Sequence, residues 1–399
     1  MNIFYIDPNL TPELKDDMKG LGIVDGMPFT VDSAFQVDRE INDFLWSLPT
    51  PSRQSKNSWK SYAQAISMYF RFLDAAGIEW KNATYDTLLK YYRARRNPMD
   101  PSLDQVSSRT WKMDLTAIKC LYKWALENAV IANLPFSLEE TNFNNGFYET
   151  TIESTGLEER TRQKDIQFIH IKDFKDKLLP ALQESRNGVR NTALCLLLIS
   201  TGLRISEAGN LKLSSLPDPD ASKYAGRKTC VMSILGKGKK RRSIRIPKHV
   251  LRELYHYIDN ERMDSVSRFL KANKSKKRAP DYVFLSESGR QISIRAMQKL
   301  ITVGGRKAGI YAHPHIFRHS FAIFQLSAMI RSTVHNKDID MGGDMERYRT
   351  IFHDPLRDLQ RLMGHSSIAT TFIYLDYLSE ADELVDAAAI EWDKALFAA

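Results

Sequence analysis

The feature that most constrains this chain is a gap in its helical patterning. Residues 31–135 and the stretch that begins near Ile171 repeat apolar side chains at helical spacing, whereas residues 136–165 do not. That intervening stretch, "FSLEETNFNNGFYETTIESTGLEERTRQKD", is rich in Asn, Thr, Glu and Gly and reads as a linker. A chain of 399 residues is also too long for one ordinary core. Two domains are therefore expected: a helical one at 31–135 and a second one at 166–399. Residues 1–30, Gly/Pro-punctuated and weakly periodic, read as an N-terminal tail or arm.

The first domain predicts an all-helical bundle. In "SWKSYAQAISMYFRFLDAAG", Trp59, Tyr62, Ala63, Ile66, Tyr69, Phe70 and Leu73 follow the i, i+3, i+4, i+7 pattern, and Gly77 supplies a stop. "TYDTLLKYYRARR" is a second amphipathic segment that ends near Pro98. A third, "SSRTWKMDLTAIKCLYKWALENAV", sets Trp111, Leu115, Ile118, Leu121, Tyr122 and Ala125 on one side. The second domain is helical apart from "CVMSILGKGKKRRSIRIP", whose two alternating runs flank a Gly-Lys-Gly-Lys turn and predict a hairpin with a basic tip. The fold class expected is mainly α with a small β-sheet (α+β). The segment after Tyr377, with Leu384, Ala388 and Trp392, reads as an amphipathic helix.

Composition narrows the function classes. The net charge of +9 and pI near 9.2 favour a polyanionic partner. Cys120, Cys195 and Cys230 form no CxxC pair, so neither a zinc site nor a disulfide framework is expected, and a reducing compartment fits. "MNIFYIDPNL" has no apolar h-region, and the apolar runs are too short to span a bilayer. A cytoplasmic, nucleoid-associated location with no membrane contact is expected.

Three segments bring cations together. "STGLRISEAGNLKL" follows the apolar run "ALCLLLIS"; Gly202 breaks that helix, and Arg204 and Glu207 share a face of the next. "AHPHIFRHSFA" sets His315 and Arg318 on one helical face, with His319 one position further round. "LMGHSSIATTFIYLDY" adds His365 and two tyrosines, Tyr374 and Tyr377. No HExxH occurs, so clustered histidines do not read as zinc ligands. Two arginines, histidines, a lysine on a hairpin and a tyrosine suit phosphodiester transesterification. Guanidinium groups grip non-bridging oxygens in fork geometry and stabilise charge in the transition state. The phenol needs activation by a base or by that cationic field, and the leaving oxygen needs an acid, for which a lysine crowded by other cations is suited.

These segments, in this order, resemble the tyrosine recombinase (phage integrase) family. "TGLRISEAGNLKLSSL" is similar to its first-arginine motif, "ILGKGKKRRSIRIP" to its lysine hairpin, "HPHIFRHSFA" to its His-x-x-Arg-His box, and "LMGHSSIATTFIY" to its Gly-His and tyrosine box. The resemblance covers roughly 166–380 well, and 31–135 resembles the core-binding domain only in kind. It implies Arg204, Lys237, His315, Arg318, His365 and Tyr374 as catalytic residues, with Glu207 supporting and Tyr374 preferred over Tyr377. Lys239, Arg241 and Arg242 are candidate DNA contacts. One departure is the interval between Arg318 and His365, longer than is usual; it holds Asp338, Asp340 and Asp344 and reads as an inserted surface loop.

The resemblance further implies a two-domain clamp around double-stranded DNA at specific recombination sites. It implies cleavage through a 3′-phosphotyrosyl intermediate without metal, ATP or another cofactor, by a homo-tetramer on DNA, with accessory DNA-bending proteins as possible partners. Two alternatives share these residues or this charge: a type IB topoisomerase or telomere-resolvase-like strand transferase, and a non-catalytic DNA-binding protein.

Overall fold

The computed structural model describes residues 1–378 except 8, 11–12, 14, 33–34, 50–55, 99–104, 145–148, 160–165, 237–240, 277, 337–354 and 366. Its chain divides into two compact units, Met1–Gln163 and Lys164–Ala399. Helices dominate both, and three two-stranded antiparallel sheets occur among the described residues.

In the first unit the helices Arg39–Ser47, Lys56–Ala76, Tyr85–Arg96 and Ser108–Glu127 enclose an aromatic core. Local chemistry sets their ends. Asp38 accepts the Ile41 N–H, Ser107 accepts the Thr110 N–H, and Thr84 and Thr87 exchange side-chain and backbone bonds across a capping box. Trp111, Leu115, Ile118, Leu121, Tyr122 and Ala125 are all buried, as their spacing predicts. Two of the buried phenols partner each other: the Tyr69 and Tyr122 hydroxyls lie 2.9 Å apart, and Tyr122 donates to the Trp80 carbonyl at 2.8 Å.

Two expectations for this half are corrected. Residues 1–30 are not only a tail: Asn2–Tyr5 pairs antiparallel with Pro28–Val31, and Met1 and Ile3 pack on the helical core. Asn42 pins that sheet, accepting the Thr30 N–H at 2.7 Å and donating to its carbonyl at 2.9 Å. Residues 136–165 are not only a linker: Glu139–Asn144 pairs with Glu149–Ser154. The chain then returns to the first core, where Leu157 is buried and its carbonyl accepts the Trp111 indole N–H at 2.8 Å. The sequence of 139–144 and 149–154 carries no run of alternating apolar residues, the pattern that makes a strand legible.

The second unit is built around Gly188–Thr201, whose Leu194, Cys195, Leu197 and Leu198 are fully buried. The helices Lys248–Tyr257 and Pro314–Asn336 pack on it. So does the hairpin of Thr229–Leu235 with Arg241–Pro247, as the alternating sequence predicts. A smaller cluster joins Ile323, Leu326 and Ile330 to Leu356, Leu359 and Met363 of the helical stretch 355–363, and to Tyr374 and Tyr377. The Asp338, Asp340 and Asp344 segment and the helix expected after Tyr377 lie outside the described residues.

Candidate active site

Two left-handed glycines shape the site. Gly202 ends the Gly188–Thr201 helix at φ +62°, and a Cβ there would lie 2.3 Å from Cδ1 of Phe321. The tight turn delivers Arg204 to the first position before the short helix Ile205–Gly209. Gly364, at φ +64°, ends the 355–363 helix, and a Cβ there would lie 3.0 Å from Cδ of Arg242. That turn delivers His365 beside the arginines.

Glu207 is the anchor of the cationic group. Its side chain is 4% exposed, and its carboxylate accepts the Arg204 backbone N–H at 2.8 Å and an Arg204 guanidinium N–H at 3.2 Å. It also accepts both terminal nitrogens of Arg242, at 2.5 and 2.8 Å. Burial alone would raise this carboxyl, but the Arg242 and Arg204 contacts hold it below its ordinary value. Arg318 is 5% exposed and donates to the Gly202 and Met363 carbonyls, so both glycine turns fix its plane. Burial, with Arg204 and Arg242 nearby, lowers its guanidinium to about 10, still charged at neutral pH.

Tyr374 lies against this group. It is 2% exposed, its ring stacks at 16° on His365 with centroids 6.3 Å apart, and its hydroxyl lies 3.1 Å from Nδ1 of His319. Burial raises the phenol above its ordinary value, while Arg318 and Arg204 pull the other way. His365 bonds through Nδ1 to the Thr371 hydroxyl at 3.0 Å. Burial, then Arg318, Arg204 and Arg242, push its imidazole down to about 4. Tyr377 serves a different end, since its hydroxyl accepts the Ile166 backbone N–H at 2.7 Å.

The sequence-derived residues thus divide. Arg204, Glu207, Arg318, His365 and Tyr374 come together. His315 is exposed one turn before His319, its backbone N–H bonding to Nδ1 of His313. Arg241 is exposed on its strand, as a DNA contact requires, while Lys237 and Lys239 lie outside the described residues. Arg242 is corrected. It faces inward opposite Ile234, in line with buried Ile244 and Ile246, and its side chain is 11% exposed. Its guanidinium is committed to Glu207 and, through Nε, to the Leu362 carbonyl at 3.2 Å. His319 and Thr371 are the functional-site neighbours that motif spacing did not select. Among the described residues no group of three His, Cys, Asp or Glu is arranged to hold a metal ion. Among them no helix is long and apolar enough to cross a membrane.

Residues 172–350 match the phage integrase family model, and residues 41–128 match the phage integrase N-terminal SAM-like domain. Over 340 residues the chain is 26% identical to the tyrosine recombinase XerC of Bacillus pumilus, a match spanning 84% of this chain and 91% of that protein. The chain belongs to the phage integrase family of tyrosine recombinases. The tyrosine recombinase XerD of Rickettsia bellii is also 26% identical, over 345 residues, 84% of this chain and 92% of that protein. Solved recombinases share the fold. The XerH site-specific recombinase in a post-cleavage complex with a palindromic difH substrate superposes with TM-score 0.54 at 17% identity, over 89% of this chain and 88% of that one. The Tn1549 transposon integrase in complex with transposon right end DNA gives TM-score 0.51 at 14% identity, over 86% and 98%.

Proposed function

We propose that this site-specific tyrosine recombinase cuts and rejoins duplex DNA with Tyr374 as its nucleophile. One observation carries the assignment: the Tyr374 phenol lies within the electrostatic reach of Arg318 and Arg204 with its ring parallel to that of His365, whereas the Tyr377 hydroxyl is occupied by a backbone N–H. Arg204 and Arg318 grip the non-bridging oxygens of the scissile phosphate, and Glu207 and the two glycine turns hold them in place. The Tyr374 oxygen bonds to phosphorus as the bond to the 5′ oxygen breaks. Lys237 protonates that departing oxygen, and His315 and His365 flank the phosphate.

The product is a 3′-phosphotyrosyl enzyme with a free 5′-hydroxyl. The 5′-hydroxyl of a second strand then attacks the phosphotyrosine, and the phenol is released. The bond energy is conserved in the intermediate, so the cycle runs without ATP or metal. The active assembly is a homo-tetramer on two DNA sites belonging to a mobile element or its host chromosome. The test is a plasmid carrying two copies of the DNA that flanks the gene, incubated with purified protein and a chelator. Deletion or inversion between the sites is expected. Relaxation without exchange between them contradicts a recombinase and fits a type IB topoisomerase instead.

A further inference from the structure

We infer that His319 is the base that receives the phenolic proton of Tyr374, an assignment that rests on Tyr374 being the nucleophile. His319 lies on the helix Pro314–Asn336 directly after Arg318, and its Nδ1 is 3.1 Å from the Tyr374 oxygen. The two rings are tilted at 52° with centroids 5.8 Å apart, which leaves Nδ1 within hydrogen-bond distance of the hydroxyl. The neighbouring histidines are placed differently. His365 has its ring nearly parallel to that of Tyr374, centroids 6.3 Å apart, and its Nδ1 is bonded to Thr371. His315 is exposed, with its ring 6.2 Å from that of His313.

The tautomer follows from the burial of the phenol. With Tyr374 only 2% exposed, its O–H needs an acceptor, which Nδ1 supplies when the imidazole proton is on Nε2. That neutral form is the one the surroundings favour. Burial, together with His315, His313 and Arg318 on its own side of the site, lowers the His319 imidazole to about 4. Tyr374 and His365 are its titratable neighbours from the C-terminal segment. A scissile phosphate held by Arg318 brings a negative charge that offsets this cationic field. It therefore raises the basicity of His319 when, and only when, DNA is seated. In the step, the phenolic O–H bond breaks as Nδ1–H forms, and the phenolate oxygen bonds to phosphorus. The bond to the 5′ oxygen breaks with its electron pair, and Lys237 supplies the proton that oxygen takes up. Rejoining runs the same transfers backwards.

The test is single-turnover cleavage of a nicked suicide duplex by His319→Asn, whose amide oxygen sits near the Nδ1 position and accepts a hydrogen bond but not a proton. DNA affinity is measured alongside as the check on folding; should His319→Asn bind poorly, His319→Gln, also unable to take a proton, replaces it. The expected result is wild-type binding, with cleavage slowed about 10²–10⁴-fold at neutral pH. The remaining rate should climb roughly tenfold per pH unit as solvent ionises the phenol, a slope the wild type lacks. Cleavage within a few-fold of wild type overturns the proposal. So does slow cleavage with a wild-type pH profile, which would make His319 an orienting group. Tyr374→Phe separates the two levels: if it abolishes the covalent adduct while His319→Asn is unimpaired, only the base assignment fails. If Tyr374→Phe still traps DNA, the reading of the site itself fails.

Discussion

Arg242 reaches from the hairpin to Glu207 and closes a two-pronged ion pair, 2.5 and 2.8 Å long, with side-chain exposures of 11% and 4%. Its Nε extends the link to the Leu362 carbonyl, just before the Gly-His turn. One side chain therefore ties three motif segments together. Arg242→Ala takes away one of the two guanidinium groups on a buried carboxylate, and losing one partner of a buried ion pair typically costs about 3–5 kcal/mol. Urea melts should show a loss of that size, and cleavage should fall along with it. The salt dependence of DNA binding should barely change, because this arginine faces the protein. A lower salt slope with undiminished stability would return Arg242 to the role of a phosphate contact.

Arg204 and Arg318 differ from Arg242 in how many donors are left for a ligand: the described bonds engage one and two of their five N–H groups, against three for Arg242. Replacing either with Lys keeps the charge but loses the planar fork. Cleavage of a suicide substrate should drop by roughly two or more orders of magnitude for each, the scale of losing a fixed oxyanion donor. Near-complete rescue by Lys at both positions would show that only net charge matters there.

His319 and His365 both sit near 4, below the ordinary 6.5 of a free imidazole. The folded protein therefore resists taking up protons that the unfolded chain accepts. Their contribution to stability is fully present above pH 6.5 and is lost as pH falls through about 4. Glu207, held below its ordinary 4.5, adds a loss of the same sign at still lower pH. Replacing both histidines with Asn should flatten the stability profile between pH 6.5 and 4. An unchanged slope would mean that both imidazoles titrate normally.

Much of this was legible in the sequence, for identifiable reasons. Trp111, Leu115 and Leu121 share a helix face, and that periodicity announces their burial without any tertiary information. Arg204 and Glu207 are near neighbours on one short element, so their pairing is local. The family resemblance favours Tyr374 over Tyr377, and in the structure the Tyr377 hydroxyl accepts a backbone N–H. The pairing of Asn2–Tyr5 with Pro28–Val31 was hidden because strands that meet across a long loop leave no local turn signature. Arg242 was hidden within a basic run: Arg241 and Arg242 look alike until strand parity turns one outward and the other inward. The contact of His319 with Tyr374 joins segments that only the folded core brings together.

In the proposed mechanism Lys237 is the proton donor to the departing 5′ oxygen. A bridging 5′-phosphorothiolate provides a leaving group that needs little protonation. Lys237→Ala should be slow on the ordinary substrate and largely restored on the sulfur one, while Arg318→Ala should stay slow on both. Failure of the sulfur substrate to restore Lys237→Ala would shift the acid to Lys239 or to a histidine.

The most direct measurement is covalent capture of a nicked suicide duplex on a denaturing gel, comparing Tyr374→Phe with Tyr377→Phe. Removing the Tyr374 hydroxyl deletes the proposed nucleophile and one hydrogen bond to His319 while leaving the ring packed. Removing the Tyr377 hydroxyl deletes only an acceptor for the Ile166 N–H. The account predicts that Tyr374→Phe binds DNA and forms no covalent band, whereas Tyr377→Phe still forms one. A covalent band from Tyr374→Phe, together with none from Tyr377→Phe, would contradict it.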